Sequence, residues 1–151
     1  MKKILIATDG SPSAMEAVEV GVELAAEQDA EAVFVHVAPA FDALPIGGFA
    51  PTGAVPHELS EHDRQPLVAA EQVAAQKGLD AATKLLTGRP ADEIVAYADA
   101  IDAELIVVGS RGHGALTSAL IGSVSRAVLH EARRPVLVVR GAREHAEAAV
   151  H

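Results

Sequence analysis

Residues 103–110, "AELIVVGS", form a short apolar run that ends in glycine and serine. The apolar residues are consecutive rather than alternating, so a strand built from them is buried on both faces. Central strands of parallel sheets have this pattern, because crossover helices cover both faces of such a sheet. The run therefore predicts a central strand of an α/β domain.

Strand and helix patterns alternate through the rest of the chain. The run "KKILIATDGS" predicts a first strand that ends near Thr8. Ser11 and Pro12 then begin a helix that ends near Gln28, because serine caps free amides and proline suits the first helical position. Further strands are predicted in "EAVFVHVAPA", "AATKLLTG" and "RPVLVVRG", and further helices from about His57 to Lys77, in "RPADEIVAYADAI" and in "GSVSRAVLHEARR". With right-handed crossovers, this order predicts a doubly wound parallel sheet with helices on both faces.

Composition restricts the classes of protein to which the chain can belong. A length of 151 residues is that of one domain, which we expect at 1–141, followed by a mobile tail at 142–151. The formal net charge of -9 argues against nonspecific binding to nucleic acid or an anionic membrane, because those attractions need lysine and arginine. With no cysteine, no signal peptide and no run of membrane-spanning length, we expect a soluble cytoplasmic protein without membrane insertion.

The stretch "VVGSRGHGALTSALIGSVSR" joins the central strand to a helix and is rich in small residues. In an open parallel sheet, ligands bind outside the carboxyl ends of the strands, where Asp9 and Gly109 are both predicted to lie. The following helix would present free amides and its positive dipole end to an anion. Gly122 lets backbone approach closely, and Ser123 and Ser125 add hydroxyl donors. We therefore expect a phosphate chain at this edge of the sheet.

Two well-known phosphate-binding loops do not fit this stretch. A Walker A loop needs a lysine after the last glycine, and none is present here. The glycine spacing also differs from a dinucleotide fingerprint, which follows a first strand rather than a late one. Taken singly, each glycine favours a structural role at a strand end, whereas their combination favours a ligand site.

The segment "GSRGHGALTSALIGSVS" resembles the nucleotide-binding motif of the universal stress protein family: glycine, two residues, glycine, nine residues, glycine, then serine or threonine. Gly109, Gly112, Gly122 and Ser123 match every fixed position. The segments "ILIATDGSPSAMEAV", "VFVHV", "AELIVVGSRG" and "RRPVLVVR" also resemble that family, so the resemblance covers nearly the whole chain. The connection from Ala38 to Pro56 and the tail have no clear counterpart in the pattern.

This resemblance implies a five-stranded parallel sheet in the order 3-2-1-4-5, with the fold of the adenine nucleotide alpha-hydrolases. It also implies ATP as the bound cofactor, with Mg²⁺ beside the phosphates left open, and a homodimer. We expect that dimer to form through the last strand, from Pro135 to Val139, because an apolar edge strand with unpaired amides invites a second copy.

The resemblance also implies a role for individual residues. The adenosine would be bordered by Ala7, Thr8 and Asp9, and Val37 would meet the adenine through its backbone. Val108 and Gly109 would lie beside the ribose. The phosphates would be cradled by Gly112, Gly122, Ser123, Val124 and Ser125. For Arg111 and His113, contact with a terminal phosphate and simple exposure to solvent are equally open.

Three functions follow from these observations. The first is a regulatory or protective protein of the stress response rather than an enzyme, in which ATP occupancy biases loop order and thereby the binding of an unidentified protein partner. The second is a slow ATPase or phosphotransferase with Ser123 or Ser125 as the phosphoryl acceptor, although no general base is evident beside the phosphates. The third is a structural dimer with an empty site, which the intact glycine motif disfavours.

Other features carry less weight. In "HELSEH" the two histidines are five residues apart, so on a helix they would diverge instead of meeting one metal ion, and we expect a solvated helix start. His36 is most simply a packed core histidine with one hydrogen-bonded nitrogen. The connection from Ala38 to Pro56 is longer than a packed domain needs. It is either a lid, a partner-docking segment or a mobile loop, and we expect a mobile loop.

Overall fold

A computed structural model describes residues 2–44, 53–111 and 121–140 of the chain. The strands in this part are β1 (Lys3–Ala7), β2 (Glu31–Ala38), β3 (Phe41–Leu44), β4 (Gly53–Pro56), β5 (Ala81–Thr87), β6 (Leu105–Gly109) and β7 (Val136–Val139). The helices are α1 (Pro12–Glu27), α2 (Glu61–Gln76), α3 (Pro90–Ala100) and α4 (Ser123–Glu131). None of these helices is both long enough and apolar enough to cross a membrane.

Five of the strands form one parallel sheet in the order β5-β2-β1-β6-β7. Numbered among themselves along the chain, these strands have the order 3-2-1-4-5, which confirms the predicted topology. The central strand is β1, in which Ile6 pairs with Phe34 of β2 on one side and with Val107 of β6 on the other. The chain reverses direction across the sheet at β1, so the connections after β1 and β6 diverge at its carboxyl edge.

Two separate cores cover the two faces of the sheet, as its buried central strands require. On the face of α1 and α2, Ile4 and Ile6 of β1 pack with Phe34, Val18 and the other members of the first core. On the face of α3 and α4, Leu5 packs with residues that include Val35, Ile94, Ile106 and Val128. Because successive side chains of β1 enter opposite cores, the strand is apolar at every position after Lys3.

The helix starts follow the local signals in the sequence. Ser11 caps α1, since its hydroxyl accepts a hydrogen bond from the Ala14 N–H at 3.2 Å, and Pro12 occupies the first helical position. The helix ends at Glu27, close to the predicted end. Helix α2 instead begins at Glu61, four residues later than the predicted start at His57, because the His57 N–H donates to the Ala40 carbonyl of the hairpin and Ser60 is the N-cap residue of the helix.

The connection from Ala38 to Pro56 differs from the mobile loop that we expected. In its described part, β3 and β4 pair as an antiparallel hairpin in which Asp42 lies opposite Val55. Pro56 ends an edge strand, where a missing N–H is tolerated. The tip of the connection, 45–52, and the tail, 142–151, lie outside the described residues.

Candidate functional site

A cleft opens at the carboxyl ends of β1, β2 and β6, where the connections of the sheet diverge. The empty space within it is about 570 Å³, counting the part open to solvent. The residues that line it are Ala7, Thr8, Asp9, Ala14, Val35, His36, Val37, Pro90, Ile94, Val108, Gly109, Arg111, Val124 and Ser125. The topology of the sheet therefore brings residues from six elements and their connections to one opening.

Most of the predicted site residues form part of this wall. They are Ala7, Thr8, Asp9, Val37, Val108, Gly109, Arg111, Val124 and Ser125. Ser123 lies instead in a neighbouring groove between the starts of α3 and α4, which shares Pro90 and Val124 with the cleft. Gly122 is the N-cap residue of α4. Gly112 and His113 lie outside the described residues.

The turn between β1 and α1 holds the carboxylate of Asp9 in place. Its Oδ1 accepts a hydrogen bond from the Ser11 N–H at 2.9 Å, and the Thr8 hydroxyl accepts one from the Gly10 N–H at 3.1 Å. Gly10 has a φ of +81°, a left-handed conformation that favours glycine. Asp9 is therefore both part of the turn that begins α1 and a member of the cleft wall.

Gly109, at the end of β6, is required by the packing of α1. A Cβ atom at this position would lie 2.7 Å from the backbone oxygen of Ser13, closer than such atoms approach in proteins. The same helical turn also contacts the strand end through the Ser13 hydroxyl, which accepts a hydrogen bond from the Arg111 N–H at 3.1 Å. The absence of a side chain at 109 thus lets α1 lie directly against β6 beside the cleft, a packing role that the sequence interpretation did not include.

The first turn of α4 presents backbone amides at the cleft, across from the packing of α1 on β6. The Gly122 N–H is already used, because it donates to the Ser110 carbonyl at 2.6 Å. The next intrahelical bond begins at Arg126, whose N–H donates to the Gly122 carbonyl at 3.0 Å. In between lie the first-turn amides of Ser123, Val124 and Ser125, for which the helix itself supplies no acceptor. These three amides, rather than that of Gly122, are the donors that can reach an anion.

The hydroxyl of Ser125 is also committed within the protein. The side chain is buried, and its Oγ donates a hydrogen bond to the Gly109 carbonyl. This bond ties the first turn of α4 to the end of β6. The Ser125 side chain therefore fixes the position of the amides, and its backbone N–H is the group that remains for a ligand. Ser123 differs because its side chain is exposed.

Five lining residues were missed by the sequence interpretation: Ala14, Val35, His36, Pro90 and Ile94. His36 is half-buried, and its Nδ1 donates to the Thr8 carbonyl at 2.9 Å, which confirms the predicted single hydrogen-bonded nitrogen but adds a place in the wall. Its position one residue before Val37, near the end of β2, was the signal available. Pro90 and Ile94 carried no comparable signal, because only the packing of α3 on the sheet brings them to the opening.

The chemistry of the wall differs from one end of the cleft to the other. Val35, Val37, Ile94 and Val108 provide apolar surface near the sheet, whereas the amides at the start of α4 provide hydrogen-bond donors at a positive dipole end. Such a cleft can hold a flat apolar ring at one end and an anionic group at the other. Within the described ranges, no group of three or more side chains is arranged to hold a metal ion.

Comparison with known proteins assigns this chain to a group of relatives. A family model described as the universal stress protein family matches residues 1–140. A universal stress protein of Methanocaldococcus jannaschii is 37% identical over 142 residues, which cover 92% of this chain and 82% of that protein. A universal stress protein of Bacillus subtilis is 36% identical over 148 residues, with 91% of this chain and 98% of that protein covered.

Two solved structures resemble the chain over most of its length. A universal stress protein crystallised in complex with cAMP is 26% identical, with a TM-score of 0.68 and coverage of 91% of this chain and 96% of that chain. A universal stress protein from Archaeoglobus fulgidus in complex with dAMP is 27% identical, with a TM-score of 0.66 and coverage of 91% and 97%.

Proposed function

This chain belongs to the universal stress protein family, and we propose that it is a regulatory protein that binds ATP in the cleft at the carboxyl edge of its sheet. The observation that carries this proposal is the pairing of apolar surface and first-turn amides in one cleft. Two structural relatives, crystallised in complex with cAMP and dAMP, support an adenine nucleotide as the ligand class.

The proposed orientation of the nucleotide follows from the two ends of the cleft. The adenine lies against the apolar wall, next to the backbone of Val37, and the ribose lies beside Val108 and Gly109. Asp9 accepts a hydrogen bond from the ribose or the adenine, because its carboxylate oxygens are acceptors held by the turn. The phosphates extend to the first turn of α4, with Gly112 and Arg111 on the preceding loop. Mg²⁺ would neutralise phosphate charge if it accompanies the nucleotide.

A regulatory role is preferred to catalysis because of the state of the polar groups in the cleft. The buried Ser125 hydroxyl donates to the Gly109 carbonyl, which disfavours it as a phosphoryl acceptor. The His36 Nδ1 is engaged with the Thr8 carbonyl, and Asp9 is engaged with the Ser11 amide. Ser123 therefore remains the acceptor to test for the alternative of a slow ATPase or phosphotransferase. A cytoplasmic location and an unidentified protein partner belong to the same proposal.

We also propose that β7 forms the interface of a homodimer. The strand lies at the edge of the sheet, and its residues Val136, Leu137 and Val138 are only partly buried. An apolar edge strand can pair with its counterpart about a two-fold axis, which removes both exposed edges. Light scattering should therefore give the mass of a dimer at micromolar concentration, and Val138→Lys should shift it towards the monomer. A wild-type monomer would remove this part of the proposal.

One experiment separates the candidate functions. The purified protein is denatured, the released small molecules are chromatographed, and a second sample is incubated with labelled ATP and Mg²⁺. Bound ATP that survives the incubation supports the regulatory function. Steady release of ADP supports turnover, and a Ser123→Ala variant then tests the acceptor. No bound nucleotide and no measurable affinity for ATP would contradict both and leave the nucleotide-free dimer.

A further inference from the structure

A second polar cluster, separate from the wall of the cleft, lies where the β3–β4 hairpin meets α2. It consists of Asp42, His57 and Asp63. The Nδ1 of His57 lies 2.8 and 2.9 Å from the two carboxylate oxygens of Asp42. The Nε2 of the same ring lies 3.0 Å from each carboxylate oxygen of Asp63. One imidazole thus bridges two carboxylates.

The bridge links the hairpin to α2 through side chains. The His57 N–H donates to the Ala40 carbonyl at 2.9 Å, which extends the ladder of the hairpin by one residue. Because Asp42 lies opposite Val55, His57 is its diagonal neighbour on the same face. Asp63 belongs to the first turn of α2, so the imidazole fastens the hairpin to that helix.

The position of Asp63 is fixed by the helix. Its Oδ2 accepts a hydrogen bond from the Ser60 N–H at 2.9 Å, and its side chain is only 8% exposed. The Asp42 side chain, in contrast, is 51% exposed. Water can therefore replace the imidazole at Asp42 with little cost, whereas Asp63 would lose a partner in a largely buried position.

The bridge depends on the proton count of the ring. Ionised carboxylates only accept hydrogen bonds, so both ring nitrogens can donate only when the imidazole is a cation. A neutral ring has one N–H, and its other nitrogen then turns a lone pair towards a carboxylate. Within the described part of the chain, the charged groups that face the ring are Asp42 from β3 and Asp63 from α2, and Ser60 contacts Asp63.

We propose that Asp42, His57 and Asp63 form a proton-operated clasp, which fastens the hairpin to α2 while His57 is a cation and releases Asp42 when the ring becomes neutral. The neutral ring keeps its remaining proton on Nε2, because the buried Asp63 is the partner that water replaces least readily. The clasp is independent of the proposed nucleotide function, since its three side chains do not line the cleft.

The pKa values of His57 and Asp63 determine how the stability of the clasp depends on pH. Hydrogen bonds to Asp42 and then Asp63 raise the pKa of His57 above its ordinary value of 6.5. The stabilisation is therefore complete below pH 6.5 and is lost as the pH rises through the pKa of His57 in the folded protein. The Ser60 N–H and then His57 lower the pKa of Asp63 below 3.8, so the contribution of Asp63 is present above pH 3.8 and is lost as the pH falls through that lowered value.

Nuclear magnetic resonance of uniformly ¹⁵N-labelled, otherwise intact protein tests the clasp between pH 5 and pH 9. We expect the His57 ring to titrate above 6.5, the hairpin amides to shift with the same midpoint, and the neutral ring to carry its proton on Nε2. Hairpin amides that do not follow His57, or a neutral ring protonated on Nδ1, would overturn the proposal.

The variant Asp42→Asn provides the sharper test. An asparagine amide can donate to the neutral Nδ1 while the ring keeps its Nε2 proton on Asp63, so the clasp should stay closed at every pH in this range. The pKa of His57 should fall, and the inflection of the hairpin amides should follow the ring to this lower midpoint and become smaller, because only the charge of the ring then changes. The matched variant Asp80→Asn, at an exposed position before β5, should keep the wild-type pKa of His57 and the wild-type inflection. An inflection of wild-type size in Asp42→Asn, or a reduced one in Asp80→Asn, contradicts the proposal.

Discussion

The cleft and the clasp differ in where their hydrogen-bond partners come from. In the clasp, Asp42, His57 and Asp63 satisfy one another, and only the number of protons is variable. In the cleft, the first-turn amides of α4 have no acceptor within their own helix. The protein therefore completes the clasp by itself, whereas the helix leaves the amides at the start of α4 for the anion that we propose. This contrast shows that a group of polar residues indicates a ligand only when the protein leaves donors or acceptors for it.

The substitution with the largest expected effect is Gly122→Val, which should change the cleft and leave the clasp unaltered. A branched side chain at the N-cap would occupy the space in front of the α4 amides, so we expect the affinity for ATP to fall more than about a hundredfold, or ~2.7 kcal/mol. The fold should survive, because Gly122 has a φ of -63° and an extended backbone that any residue adopts. Calorimetric titration with ATP measures the affinity, and thermal melting measures the stability of the fold.

Gly122→Ala is the graded control for this prediction, since its methyl group fills less of the same space. Its affinity should lie between those of the wild type and Gly122→Val. Wild-type affinity in Gly122→Val would remove the first turn of α4 from the site altogether. The clasp should be unaffected in both variants, because its three members lie on the hairpin and α2.

Gly109→Ala should have the next largest effect, on stability rather than on affinity alone. The new Cβ would meet the Ser13 backbone oxygen at 2.7 Å, and a backbone atom cannot rotate away as a side chain can. We expect the free energy of unfolding to fall by about 3 kcal/mol, near the upper part of the usual range for overpacked sites. Urea unfolding measures this change. A stability equal to that of the wild type would contradict the close packing of α1 on β6.

The pair Ser123→Ala and Ser125→Ala separates a ligand contact from a structural one. Loss of the exposed Ser123 hydroxyl should weaken ATP binding by about tenfold to a hundredfold, as expected for a hydrogen bond to a charged oxygen, with unchanged stability. Loss of the buried Ser125 hydroxyl should instead lower the free energy of unfolding by roughly 1 kcal/mol, because its bond to Gly109 disappears. Calorimetry and urea unfolding measure the two effects. A loss of stability in Ser123→Ala together with a loss of affinity alone in Ser125→Ala would contradict this division of roles.

The smallest expected effect concerns the clasp. His57→Gln should lower the melting temperature slightly at pH 6, where the wild-type ring is a cation, because partly exposed ion pairs contribute little. The difference in melting temperature between the wild type and His57→Gln should shrink as the pH rises through the pKa of His57, since the wild type then loses the same interaction. Melting curves at pH 6 and pH 9 test this, and a difference that grows with pH would contradict the sign of the effect.

The fold followed from local patterns because its central strands are buried on both faces. The run that forms β6 and the serine cap of α1 encode their structures within a few residues, so this strand and the start of α1 could be predicted from local patterns. The strand order, in contrast, was an implication of the family resemblance. Much of the cleft wall could also be predicted, since residues that end parallel strands share one edge of the sheet. The ligand roles of these residues remain predictions.

The remaining features depend on contacts between distant parts of the chain. The spacing within "HELSEH" excluded a shared metal site, but it carried no sign that His57 meets Asp42, fifteen residues earlier, through a hairpin. The need for glycine at 109 likewise arises from the backbone of Ser13, which is far away in the sequence. Hydrophobic periodicity describes which face of an element is buried, and it contains no information on which distant residues meet there.

The most direct test of nucleotide binding in the cleft is a titration of ¹⁵N-labelled protein with ATP and, separately, with adenosine. The account predicts that both ligands shift the amides around Val37 and Val108, and that only ATP strongly shifts those of Ser123, Val124 and Ser125. The hairpin amides should remain unchanged at constant pH. Equal shifts of the α4 amides by adenosine and ATP, or no shifts along the cleft wall, would contradict it.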